Sequence, residues 1–242
     1  MSTLPQSEYH LSPLPAKPLG GVLVLHAWWG LTPFFKTFSD RLAEIGFVVI
    51  APDLYHGKVA GSIEEAQKLR SMLKTERVEK DVREALRDLN AHFENIGISA
   101  PHLGVVGFSM GAHRALWLAD QPGNNISATV LFYGTRGGDY LSTHSAFLGH
   151  FAESDPYVSK AGIEKLQKQL QNAGHEALFY QYSGTSHWFF EEDRPDAFNF
   201  EAATLAWERT VEFLLRQLSS EQRAHVAPSL PTQSPRKPSR GS

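Results

Sequence analysis

Short, nearly unbroken apolar runs alternate along this chain with longer stretches in which apolar residues recur every three or four positions. Residues 21–26 (GVLVLH) form the first run, the pattern of a strand buried on both faces. Residues 36–45 predict a helix and 47–51 the next buried strand. A long polar stretch then brings Val78, Val82, Leu86, Leu89 and Phe93 to one side of a helix, a single apolar stripe on a surface element. Beyond it the pattern predicts a strand over 103–106, a helix from 110 to about 120, short apolar runs at 128–133 and 146–151, a helix over 159–173, a strand over 177–182 and a last helix from about 199 to 218.

Strands alternating with helices imply an α/β architecture: a mostly parallel central sheet with helices on both faces, joined by right-handed crossovers. No internal repeat interrupts it. From residue 219 the composition turns to Ser, Pro, Gln, Arg and Lys with almost nothing apolar. The expectation is one domain over residues 8–218 and a disordered tail over 219–242.

The 242 residues, 42% hydrophobic and 20% charged, can bury a sizeable core without disulfides or metals. A net charge of −3 gives no basic footprint for nucleic acid or an anionic membrane. Cysteine is absent, which excludes disulfides, thiolate metal sites and a cysteine nucleophile. Residues 1–18 lack the basic start and apolar core of a signal peptide, and no run reaches the roughly 18 apolar residues of a membrane span, so a cytoplasmic location is expected.

Gly107-Phe108-Ser109-Met110-Gly111 lies between a predicted strand and a predicted helix. Glycines at both ends permit a tight turn that would present Ser109 at the strand's carboxyl end, with the positive pole of the helix behind it. A serine needs a base to take its proton, and that base needs an acid to orient it. In folds of this kind the chain order is serine, acid, histidine. Asp155 and His187 each follow a predicted strand in that order, so all three belong to one edge of the sheet. Glu153 and Asp139 are rival acids. Of the other histidines, His10, His175 and His225 read as surface or tail positions, whereas His26 and His56 fall on the same edge as Ser109. The backbone N–H groups of Met110 and of Trp28, in the loop after the first parallel strand, are candidate oxyanion donors. His26, Trp29, Phe108, Tyr133, Trp188 and Phe189 are candidate substrate contacts, some of which must belong to the core. No cluster has metal-ligand spacing and no cofactor is implied.

Residues 23–31 (LVLHAWWGL), 51–57 (APDLYHG), 106–112 (VGFSMGA), 152–156 (AESDP), 184–187 and 206–210 together resemble the dienelactone hydrolase family of α/β hydrolases. The resemblance spans about residues 20–218. It implies hydrolysis of small-molecule esters or lactones through an acyl-enzyme, without a cofactor. Two departures stand out. Ser109 occupies the place of the family's cysteine nucleophile, and Ala27 the place of the glutamate that gates it. A serine draws its reactivity from a histidine and needs no thiolate gate, so the two changes agree with each other and favour a general serine esterase. The N-terminal segment around residues 9–11 leaves little room for the family's extra antiparallel hairpin. Thioesterase or peptidase chemistry on the same three residues, or an idle binding scaffold, are the competing readings.

Overall fold

In the computed structural model, residues 9–98 and 101–219 are described; residues 8, 99, 100 and 220–242 of the expected domain and tail lie outside them. Seven strands form one sheet: β1 (Tyr9–Leu11), β2 (Gly20–Leu25), β3 (Phe47–Pro52), β4 (Leu103–Phe108), β5 (Ile126–Phe132), β6 (Ala146–Ser154) and β7 (Ala177–Ser186). Their order is β1-β3-β2-β4-β5-β6-β7, parallel throughout except for β1, which pairs antiparallel with β3. The antiparallel partner of β3 is the three-residue strand β1.

The unbroken apolar runs are explained by two cores. Every residue of β2, β3 and β4 is buried. Because side chains alternate along a strand, Val22, Val24, Val49, Val106 and Phe108 face one way, against α1 (Pro33–Ile45) and α6 (Phe200–Leu218). Leu23, Leu25, Val48, Ile50 and Val105 face the other, against α3 (Thr75–Asn95), α4 (Met110–Ala119) and α5 (Lys160–Asn172). The α3 stripe buries Val78, Val82, Leu86, Leu89 and Phe93 as the spacing requires. The polar stretch before it holds a separate helix, α2 (Ile63–Met72), capped by the Ser62 hydroxyl, which accepts from Glu65 N–H at 3.2 Å. Leu73 and Lys74 are extended and divide the two helices.

The sheet's carboxyl edge positions the chemistry. The residue directly after each parallel strand is polar: His26, Asp53, Ser109, Tyr133, Asp155 and His187 follow β2, β3, β4, β5, β6 and β7. β6 and β7 extend beyond the apolar runs that announce them, through an irregular register between Ala152 and Ser154, and Ser154 still pairs with Ser186. That pairing carries Asp155 and His187 out of the sheet side by side. No helix among the described residues is long and apolar enough to cross a membrane.

Candidate active site

Ser109 joins β4 to α4 with φ 49° and ψ −107°, a left-handed conformation that a side chain rarely adopts. Close packing on all sides imposes it. A Cβ on Gly107 would strike the Gly111 carbonyl, and one on Gly111 would strike the Leu25 carbonyl. A Cβ on Gly134 would lie 2.7 Å from the Ser109 carbonyl oxygen and 2.5 Å from the Ala112 Cβ. The Ser109 N–H donates to the Phe132 carbonyl at 2.9 Å, tying the elbow to the end of β5. α4 therefore rests on the end of β2 with its first turn open to the sheet edge. Met110 is the first residue of α4, so its N–H has no intrahelical acceptor. Trp28 sits in the turn closed by Gly30 N–H donating to Ala27 O at 3.3 Å.

Three side chains form a hydrogen-bonded line. Ser109 Oγ lies 2.9 Å from His187 Nε2, and His187 Nδ1 lies 2.7 Å from Asp155 Oδ2. The second Asp155 oxygen, Oδ1, accepts from Tyr157 N–H at 2.8 Å and Val158 N–H at 3.0 Å, which fixes the carboxylate's orientation. The His187 and Asp155 side chains are each 3% exposed, so water competes weakly for the bond between them. The rival acids are engaged elsewhere: Glu153 accepts from Ser183 Oγ–H and Gly184 N–H, and Asp139 accepts from Leu141 N–H.

A cavity of about 420 Å³ opens beside Ser109, lined among others by Trp28, Met110, Tyr133, His187 and Trp188. Trp28 stacks on Trp188 with centroids 5.8 Å apart, and Tyr157, Tyr133 and Trp188 surround the His187 ring at 4.8–4.9 Å. Trp29 lines a neighbouring cavity instead, with the Arg194 guanidinium 3.7 Å above its ring. Three expected contacts are corrected. Phe108 is fully buried and stacks on Phe132 at 4.5 Å, because it continues the face of Val106 into the core under α1 and α6. Phe189 is equally buried, against Tyr133 and Tyr182. His26 is a buried brace: its Nε2 accepts from Leu54 N–H at 3.1 Å and its Nδ1 lies 2.6 Å from the Ala27 carbonyl, joining the loops after β2 and β3. His56 pairs with Asp81 at 3.1 Å, and His10 with Asp40 at 2.8 Å. His175 is half-buried, its Nε2 2.7 Å from the Tyr140 carbonyl.

Sequence reasoning missed Glu191, which Glu192 and Asp193 follow in the chain. It is fully buried, with Oε1 accepting from the Tyr133 hydroxyl at 2.7 Å. Burial pushes its carboxyl up to about 8, the Tyr133 hydrogen bond only partly opposing this. The folded protein therefore holds a proton that the unfolded chain releases near its ordinary value of 4.5, so this group's contribution to stability is present below that pH and is lost as pH rises to about 8. Glu191→Gln keeps an acceptor for Tyr133 and removes the titration. It is expected to melt above the parent in mildly alkaline buffer and level with it near pH 4.5. Thermal melts across this range check the expectation; a constant difference at every pH contradicts it.

A strained serine between strand and helix, with acid and histidine on later strand ends of a mostly parallel sheet, defines the α/β-hydrolase fold. Residues 7–218 match the dienelactone hydrolase family. Protein usf of Aquifex pyrophilus is 32% identical over 207 residues, covering 82% of this chain and 89% of that protein. Carboxymethylenebutenolidase of Rhodococcus opacus is 27% identical over 210 residues, covering 82% of this chain and 81% of that one. Among solved structures, a dienelactone hydrolase-like promiscuous phosphotriesterase from metagenomic libraries shares the fold with a TM-score of 0.73 at 20% identity, covering 85% of this chain and 89% of that chain. The chain belongs to the dienelactone hydrolase family.

Proposed function

We propose that this protein is a serine hydrolase that cleaves carboxylic esters or lactones through an acyl-enzyme on Ser109. The observation that carries the reading is the unbroken hydrogen-bonded line from Ser109 Oγ through His187 to Asp155 at the mouth of a cavity. Ser109 Oγ attacks the substrate carbonyl as His187 Nε2 takes its proton. Asp155 holds the Nδ1–H tautomer and stabilises the imidazolium that forms. The N–H groups of Met110 and Trp28 receive the oxyanion. His187 then protonates the leaving alcohol, which in a lactone stays attached to the acyl group. Water repeats the sequence and frees Ser109. All of these groups belong to the chain, so the chemistry needs no cofactor. Family membership and the name of the Rhodococcus relative support ester or lactone bonds as the target.

A panel of matched aryl ester, lactone, thioester and anilide substrates, run on the parent and on Ser109→Ala, tests this. Ester or lactone turnover should lead the panel and fall roughly 10⁴-fold or more in the variant. Faster thioester or anilide turnover, or an unaffected variant, overturns the proposal.

A further inference from the structure

Ser109 and His187 follow strands that do not pair with each other: β5 and β6 lie between β4 and β7. Strand pairing alone therefore does not fix the distance between the two side chains. Tyr133, directly after β5, spans the interval. On one side its neighbours grip the elbow. Ser109 N–H donates to the Phe132 carbonyl at 2.9 Å, and Gly134 packs so tightly that a Cβ there would lie 2.7 Å from the Ser109 carbonyl oxygen. Tyr133 N–H donates to the His150 carbonyl at 2.8 Å, and its backbone is left-handed, with φ 40°. On the other side, its ring lies 4.8 Å from the His187 ring and its hydroxyl donates to Glu191 Oε1 at 2.7 Å.

Glu191 belongs to the same turn as His187. That turn is closed by Phe189 N–H donating to Ser186 O at 3.1 Å, Glu191 N–H to Trp188 O at 2.9 Å and Arg194 N–H to Glu191 O at 2.9 Å. The Glu191 carboxyl is fully buried, and Oε2 has no hydrogen-bond partner. Arg194 does not neutralise it: its guanidinium lies 3.7 Å above the Trp29 ring and pairs with Asp193 at 3.7 Å. A buried carboxyl held by one neutral donor is an expensive way to fill a core position.

We infer, on the hydrolase reading above, that Glu191 is a positioning residue for catalysis, acting through Tyr133 to lock the turn that carries His187 against the elbow that carries Ser109. The lock works in one charge state. Burial above all keeps Glu191 protonated up to about pH 8; the Tyr133 hydrogen bond and Arg194 oppose this and Asp193 supports it, while Asp155, in the loop after β6, bears on Tyr133. Once ionised, Glu191 must draw in water to solvate Oε2, which loosens the turn and moves His187 off Ser109. Both acylation and deacylation need His187, so kcat falls as this group loses its proton.

The test is kcat on a para-nitrophenyl ester from pH 6 to about 9.5, taken per active site, with sites counted by fluorophosphonate labelling of Ser109 so that a loss of folded protein cancels. The parent should lose roughly tenfold in kcat between about pH 7 and 9. Glu191→Gln, whose amide copies the protonated acid, should keep most of the parent's kcat near pH 7 and show no such alkaline fall. The double variant Tyr133→Phe, Glu191→Leu removes both partners and leaves no polar atom unpaired. Its kcat per site should be roughly 10- to 100-fold below the parent's, with KM within about threefold. An alkaline fall shared by parent and Glu191→Gln, or absent from both, overturns the inference, as does a double variant within twofold of the parent. In each case the parent is still a Ser109-dependent esterase. A parent with no Ser109-dependent turnover overturns the hydrolase reading itself.

Discussion

Replacing Asp155 by asparagine is expected to lower kcat about 10⁴-fold while the protein stays folded. The side-chain oxygen of asparagine can go on accepting from the Tyr157 and Val158 N–H groups, so the loop after β6 keeps its shape. The consequence falls on the other oxygen. Where Asp155 Oδ2 now accepts from His187 Nδ1 at 2.7 Å, the variant presents an NH₂ donor. The imidazole must then offer a lone pair at Nδ1 and carry its proton on Nε2, facing Ser109 Oγ. In that tautomer His187 cannot take the serine's proton, and no carboxylate remains to stabilise an imidazolium. The measurement is kcat on an activated ester alongside a thermal melt. A loss below tenfold with an unchanged melt would mean that Asp155 is not the orienting acid.

Gly111→Ala should cost stability on a scale that few single substitutions reach, roughly 3 kcal/mol or more. The added Cβ would meet the Leu25 carbonyl, with the His26 carbonyl oxygen 2.7 Å away. Both are backbone atoms at the end of β2, inside the central sheet, and neither can swing aside as a side-chain tip would. Relief requires α4 to lift from the sheet, taking Ala112, Ala115 and Leu116 out of the core and tilting the Ser109 elbow. Denaturant melts of parent and variant check this. A midpoint indistinguishable from the parent's would mean that α4 does not rest on β2 as described.

The parts of the fold that were legible in the sequence are those set by burial alone. Strands β2 to β4 are covered on both faces, and a run such as Val22 to Leu25 has no other use than to fill two cores at once. The α3 stripe was legible for the same reason. Phe108 was misplaced at the cavity wall although the alternation from Val106 assigns it to the core; its nearness to Ser109 in sequence outweighed the period of two. Pattern favoured Asp155 by chain order and its place directly after a strand, but left Glu153, two residues earlier, and Asp139, in the loop between β5 and β6, as rivals. The hydrogen bonds of Glu153 to Ser183 and Gly184 separate it from Asp155. Glu191 carries no local signal at all. It is distant in sequence from Tyr133, and only the packing of the turn after β7 against the end of β5 relates the two.

The central claim is that Ser109 is the nucleophile, and covalent capture tests it most directly. The protein is incubated with one equivalent of a fluorophosphonate, its intact mass is recorded, and the adduct is located by peptide mapping. A single phosphonyl group on Ser109, with ester hydrolysis lost in proportion and no adduct on His187→Ala, is the result expected, because among the described serines Ser109 is the one with a histidine to take its proton and open helix N–H groups to receive the adduct's oxygen. An adduct on another serine, or ester turnover that persists with Ser109 fully phosphonylated, would contradict it.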